Sequence, residues 1–474
     1  MATECSELSF AFQPLGGREV CGGFSGGDIS SDGGALLLRE VERKTGIIRR
    51  FAGCFSDHRN PDLIEHTVEQ LVAQRVMGLA LGYEDLIDHD DLRHDPLLAV
   101  LVGKADPSGQ DRRLARDRGK ALAGKSTLNR LELTPADAGA KSRYKKIVID
   151  KRRVEQLFVD HFLRAHATPP TRIVLDLDAT DALLHGHQQG RFFHGYYGNY
   201  CYLPLYIFCG EFLLCARLRP SCLDASAGSV KILARIVKQI RAAWPKVEIV
   251  IRGDSGFCRE KLMAWCEANR VEYILGLARN ERLAAEIASE LEQAREQFEQ
   301  SGQASRVFKD FTYQTRESWS RPRRVIGKAE HLEKGANPRF VVTSIAAERL
   351  DARALYEDEY CARGEMENRI KEQQLYLFAD RCSAGTLRAN QQRLWLSAVA
   401  YVLMHALRRL GLQGTSLERA QCHTIREKLL KIGTHIRVTV RKVWVWLSRG
   451  CPYARVFAQV FQNLRGPPAA APAG

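Results

Sequence analysis

Residues 172–180 read RIVLDLDAT, and residues 247–257 read VEIVIRGDSGF. Each is a short run of aliphatic and β-branched residues, the composition of a buried strand. Each ends in an aspartate, Asp178 in the first and Asp254 in the second. Between them, 200–209 and 212–218 are two further apolar runs joined at Gly210-Glu211, which predicts two strands and a turn. Residues 229–244 set Ile232, Leu233, Ile236 and Ile240 at helical spacing. Residues 260–269 predict another helix, and 273–277 a last strand. The order is three strands, helix, strand, helix, strand.

That is the element order of an RNase H-like α/β domain. In such a sheet the first and fourth strands are neighbours, and ligands collect beyond the carboxyl ends of strands. The order therefore predicts that Asp178 and Asp254 meet. A third carboxylate comes from the long helix expected over 351–378. At about 100° per residue, Arg363, Glu367 and Lys371 fall within about 60° of Tyr360, while Glu365 and Glu372 lie about 120–140° away. Glu367 is thus the carboxylate set among a tyrosine and two cations. Carboxylates of this kind suit a hard cation such as Mg²⁺. An i,i+4 ion-pair ladder is the other reading of this face.

The composition sets bounds. The chain has 474 residues, 45% hydrophobic and 27% charged, which excludes a disordered or collagen-like protein. Its 70 Lys+Arg against 56 Asp+Glu give +14. The excess is uneven: −8 over residues 1–100, +8 over 101–170, +4 over 171–400 and +10 over 401–474. Two basic zones flanking a nearly neutral middle suit a protein that grips a polyanion and does chemistry between. No apolar run reaches the ~18–20 residues of a membrane span; the best, 394–407, reads as a buried helix. MATECSELSF at the start lacks the features of a signal peptide. The expected location is the cytoplasm.

Several motifs fail on physical grounds. Residues 119–126, GKALAGKS, match the phosphate-binding loop by letter. That loop needs a buried strand before it, and 110–118 are too polar to be one. Contact of Lys125 with DNA phosphate is the milder use. The 13 Cys, from Cys5 to Cys451, contain no C-x-x-C pair; Cys201, Cys209, Cys215 and Cys222 read as reduced thiols. His185, His187 and His194 read as loop residues.

The acidic set gives the chain its family resemblance. It resembles the DDE transposases of bacterial insertion sequences. In particular it resembles the large group whose third acid lies in a Tyr-(2)-Arg-(3)-Glu-(6)-Lys pattern, and within it the subgroup numbered thirteen-eighty. Tyr360, Arg363 and Glu367 match; Gln374 stands at the final position, with Lys371 on the same face. Residues 254–257, 122–132 and 368–372 are also family-like. The three acids are separated by 76 and 113 residues. The resemblance implies an enzyme that cleaves element ends and joins them to target DNA, with Asp178, Asp254 and Glu367 holding Mg²⁺ and Mn²⁺ able to substitute. It also implies Tyr360, Arg363 and Lys371 on DNA phosphates, double-stranded terminal repeats and target DNA as partners, and a dimer at synapsis. Trp319 would hold an everted base; plain packing is the other reading. An inactive DNA-binding relative and a nuclease without strand transfer are the rival functions.

The expected organisation has five parts. Residues 1–168 form a mainly helical DNA-binding region, opening with an irregular Gly- and Ser-rich stretch over 1–34 and ending at Thr168-Pro169-Pro170. The core occupies 169–280 and 351–415, interrupted by a strand-rich insertion at 281–350. A basic region, 416–474, ends in a loose Pro/Ala segment.

Overall fold

The computed structural model describes residues 9–466. The first eight residues, with Cys5 and most of the stretch read for a signal peptide, lie outside them, as does the Pro/Ala end. The chain forms two compact units: residues up to Ile149 with those from Val399 on, and Asp150–Ala398. The division by compactness falls after Ile149, so the helix Lys151–Arg164 belongs to the second unit.

The second unit is built on a nine-stranded mixed sheet. Its first five strands in chain order are Arg172–Ala179, Leu205–Cys209, Phe212–Arg217, Glu248–Gly253 and Glu272–Leu277. In space they run third, second, first, fourth, fifth. The first strand pairs parallel with the fourth and antiparallel with the second. The fourth pairs parallel with the fifth. The β-branched residues of these strands alternate between two buried faces. Ile249 and Ile251 join a large cluster with residues of the helices Lys151–Arg164, Ser229–Ala243 and Glu260–Ala268. Val250, between them, points the other way and packs with Leu355 and Tyr356. Burial of each such side chain contributes roughly 1.5–3 kcal/mol.

The strand-rich stretch after residue 280 continues this sheet. Arg339–Thr343 pairs antiparallel with the fifth strand, Arg323–Leu332 with Arg339–Thr343, and Ser305–Tyr313 with Arg323–Leu332. Two helices, Glu281–Glu286 and Ala288–Ser301, precede these strands. The run at 200–209 is also two strands, because Leu203-Pro204 breaks the ladder between Asn199–Tyr202 and Leu205–Cys209.

The long helix expected over 351–378 is not uniform. It passes from a short α start, Ala352–Ala354, into a π segment at Leu355–Tyr360 and a 3₁₀ turn at Cys361–Arg363. It resumes as α at Gly364–Lys371 and ends in a second π segment, Glu372–Tyr376. Phe378, at φ 61°, turns the chain away.

The first unit is mainly helical, with Leu36–Thr45, Ile47–Ala52, Val68–Leu81 and Pro96–Val102. Thr67 and Gln70 close a capping box at the start of Val68–Leu81. The stretch expected to be irregular contains a hairpin instead, Ser9–Leu15 paired with Arg18–Gly23. Gly16, at φ 61°, supplies the left-handed turn that the hairpin needs. A three-stranded sheet joins Asp28–Ser30, Thr434–Val438 and Val443–Leu447. Among the described residues no helix is long and apolar enough to cross a membrane.

Candidate active site

Leu177 pairs with Gly253 in the parallel ladder. One residue on, Asp178 and Asp254 stand side by side at neighbouring carboxyl ends, where strands are about 4.8 Å apart. Asp254 also starts a short turn: its Oδ1 accepts the Gly256 N–H at 2.9 Å. That bond fixes the carboxylate at the strand exit.

Two residues back, the same register pairs Asp176 with Arg252. The Arg252 guanidinium donates to both Asp176 oxygens, at 2.5 and 2.8 Å, with both side chains buried. Its third arm donates to the Glu359 carbonyl. Four residues before Asp176 on the same strand, Arg172 donates to both oxygens of the Glu359 carboxylate, at 2.7 and 3.0 Å. Residues 172, 174, 176 and 178 share one face of the strand, because side chains alternate. This column therefore clamps the helix that carries Glu367 onto the strands that carry the aspartates. Sequence reasoning passed over the roles of Asp176, Arg252, Arg172 and Glu359. The signal was an acid and a base buried in apolar strands, each two places before its aspartate.

The helix delivers its groups by its irregularity. A 3₁₀ turn returns to the same angle after three residues, so Arg363 follows Tyr360 on one side. One α turn later comes Glu367, whose carboxylate meets the Arg363 guanidinium at 2.7 Å. The other end of that guanidinium is 4.0 Å from Asp178. Burial pushes the Asp178 carboxyl up to about 6, Arg363 opposes the rise, and Asp254 and Glu367 add to it by repulsion. Tyr360 is held in its neutral, hydrogen-bond-donating form chiefly by burial. Its hydroxyl lies where a Cβ on Gly276 would meet it at 2.5 Å, beside the Ser255 nitrogen. The fifth strand thus needs glycine there to let Tyr360 reach Asp254's turn.

The structure therefore brings Asp178, Asp254, Glu367, Arg363 and Tyr360 together. Lys371 is exposed on the same helix. Gln374, at the position where the resemblance expects lysine, donates to the Asp181 carbonyl at 3.0 Å and ties the helix end to the loop after the first strand. Trp319 is buried in the large apolar cluster, edge-on to Tyr313 and under the Arg323 guanidinium, so packing describes its place. Lys125 belongs to the first unit. It opens the helix Lys125–Glu132, and Asp90 accepts its backbone N–H at 3.0 Å and faces its ammonium at 3.4 Å. No strand enters at 119–124, and a carboxylate occupies the place a phosphate would take.

The donor set is three carboxylates, the chemistry of a site for a hard divalent cation. They are not drawn to one point: among the described residues no group of three His, Cys, Asp or Glu side chains is spaced to hold an ion. The positive charge between Asp178 and Glu367 is that of Arg363.

No curated protein matches the chain. Among solved structures it is similar to a piggyBac transposase synaptic complex with hairpin DNA, at 14% identity and a TM-score of 0.40, over 85% of this chain and 80% of that one. The family model described as transposase DDE domain group 1 matches residues 12–468, and the chain belongs to that family.

Proposed function

We propose that the protein is a transposase that cleaves the ends of an insertion sequence and joins them to target DNA. The observation that supports this is the placing of Asp178 and Asp254 at neighbouring parallel strand ends, with Glu367 linked to Asp178 through the Arg363 guanidinium. The spatial order of the first five strands supports an RNase H-like core.

Asp178, Asp254 and Glu367 would hold Mg²⁺, with Mn²⁺ able to substitute. When bound, the divalent metal supplies a nucleophile at neutral pH and neutralises charge at the leaving oxygen. The protein's own groups do the rest. Arg363 would turn its planar fork to a phosphate beside the scissile bond, a geometry suited to two parallel hydrogen bonds. Tyr360 donates its hydroxyl to the same backbone, and Lys371 adds a point charge.

The two basic stretches of the sequence supply the grip. Residues 401–474 carry 12 Lys+Arg and only 2 Asp+Glu. Their hairpin exposes Trp444 and Trp446 in a parallel stack 5.8 Å apart, with the Lys442 ammonium 5.1 Å from the Trp444 ring centre. Together with 101–170 they form the proposed contact to double-stranded terminal repeats and target, with a dimer holding two ends. The expected five-part organisation is kept as part of this proposal, and the cytoplasm as its place of action.

The test is incubation of purified protein with DNA bearing the element's ends, with and without Mg²⁺. Metal-dependent cleavage followed by joined products is expected. Cleavage without joining would mean a nuclease, and binding without either a DNA-binding relative.

A further inference from the structure

Directly after the first core strand the chain forms a small antiparallel sheet from Ala182–Leu183, Phe192–His194 and Asn199–Tyr202. Its underside is fixed. The buried Tyr202 donates its hydroxyl to the Gln189 carbonyl at 2.6 Å, and the Gln189 N–H donates to the Gly385 carbonyl at 2.9 Å. The Ser221 hydroxyl donates to the Phe192 carbonyl at 2.9 Å.

Its outer surface is aromatic. Phe193 is 58% exposed, Tyr196 86% and Tyr200 45%. Phe193 and Tyr200 meet edge to face at 5.6 Å, and the Arg191 guanidinium lies 4.5 Å from the Tyr200 ring centre. Residues 182–210 contain no Asp or Glu. One exposed aromatic is ordinary. A cluster on a fixed base, with a cation and no acid, marks a surface that takes a partner.

Position says which partner. The Tyr197 hydroxyl donates to the Ala179 carbonyl at 3.3 Å, one residue past Asp178. Tyr196 meets the Tyr197 ring at 5.0 Å. The cluster therefore begins at the strand end where the proposed chemistry takes place. A polyanion approaching those carboxylates meets beside them a surface segment that is free of acid from 182 to 210. Every base offers a π face to such rings, and tyrosine holds few rotatable bonds to immobilise.

We propose that this aromatic flap receives unpaired bases of the DNA strand next to the scissile phosphate, with Tyr196 and Phe193 stacking on the bases and Arg191 facing the backbone. The proposal rests on the DNA-cleaving reading of the site and adds to it a single-strand binding surface.

The probe is a short single-stranded oligothymidylate with one central 2-aminopurine, titrated with the full-length protein in EDTA, alongside a duplex of equal length. Stacking is expected to quench the aminopurine. Tyr196→Ala is expected to weaken single-strand affinity about tenfold and to remove the quench, with duplex affinity changed by less than about twofold. Tyr196→Phe should restore both. Because Tyr196 is exposed, its loss leaves the fold intact, and thermal melting checks this. If Tyr196→Ala and Phe193→Ala bind and quench as the parent does, the flap proposal fails. It fails too if Tyr196→Leu restores quench and affinity as well as Tyr196→Phe, since the contact is then apolar rather than a stack. In either case duplex binding and Mg²⁺-dependent cleavage by the parent still judge the transposase reading separately. A parent that binds neither DNA overturns both.

Discussion

Arg363 sits between two of the carboxylates proposed to hold a divalent cation. It meets Glu367 at 2.7 Å and stands 4.0 Å from Asp178, so its guanidinium offsets the repulsion between those two carboxylates. Its removal leaves three carboxylates repelling one another. In Arg363→Met the Asp178 carboxyl is expected to titrate higher than its parental value of about 6. Carboxyl NMR of the metal-free protein reads this, and an unchanged midpoint would place Arg363 outside the site. A second residue-scale prediction concerns the first unit. His89 is fully buried against the Gln74 amide at 3.1 Å and the Arg75 guanidinium at 3.0 Å. Burial, with help from Arg75, depresses its pKa from 6.5 to about 3, and His66 is depressed to about 3 in the same way. Below 6.5 the unfolded chain takes up protons that the folded unit refuses. The stability these histidines contribute is therefore complete above 6.5 and drains as pH falls toward 3. Melting temperature should drop as pH is lowered through this window, and a His66→Asn, His89→Asn double variant should show a flatter profile.

At the scale of elements, the Asp176–Arg252 pair ties the strands that carry Asp178 and Asp254 to the helix bearing Glu367. Asp176→Asn leaves a buried guanidinium without its counter-charge and should cost about 3 kcal/mol or more. Asp176→Leu with Arg252→Met removes both charges and should cost less than the sum of the single changes. Urea denaturation of the four proteins measures this; strict additivity would mean the pair does not act as a unit. The strands themselves were legible, because buried parallel strands read as short β-branched runs, and the aspartates stood at their ends. The neighbouring of the first and fourth strands followed from element order. The helix was legible in extent but not in pitch. A constant angle per residue brought Tyr360, Arg363 and Glu367 together, whereas the structure does it by a π segment, a 3₁₀ turn and an α turn in succession. No residue type announces such changes of winding. The hairpin from Ser9 to Gly23 was hidden by its glycines, although Phe10 and Phe12 alternate as a strand does. The flap strands, two to four residues each, are too short to show a period.

At the scale of the whole molecule, charge divides the labour proposed here. Residues 101–170 and 401–474 carry +18 between them, opposed by −8 in the first 100 residues, and the weakly basic stretch between, at +4, holds the three carboxylates of the proposed site. Binding that rests on phosphate contacts releases counterions, so the slope of log K against log salt counts them. Arg437→Ala and Lys442→Ala should each reduce that slope by about one and weaken all duplex sequences alike. A slope that does not move would remove the terminal hairpin from the DNA contact. The central claim is that three particular carboxylates, and not their neighbours on the same helix, perform the cutting. It is tested most directly by Mg²⁺-dependent cleavage of end-bearing DNA by Asp178→Ala, Asp254→Ala, Glu367→Ala and Glu365→Ala side by side. The first three are expected to lose cleavage, on the order of a hundredfold or more, while Glu365→Ala cuts nearly as the parent does. Cleavage that survives in Asp254→Ala, or a Glu365→Ala loss deeper than that of Glu367→Ala, would contradict the account.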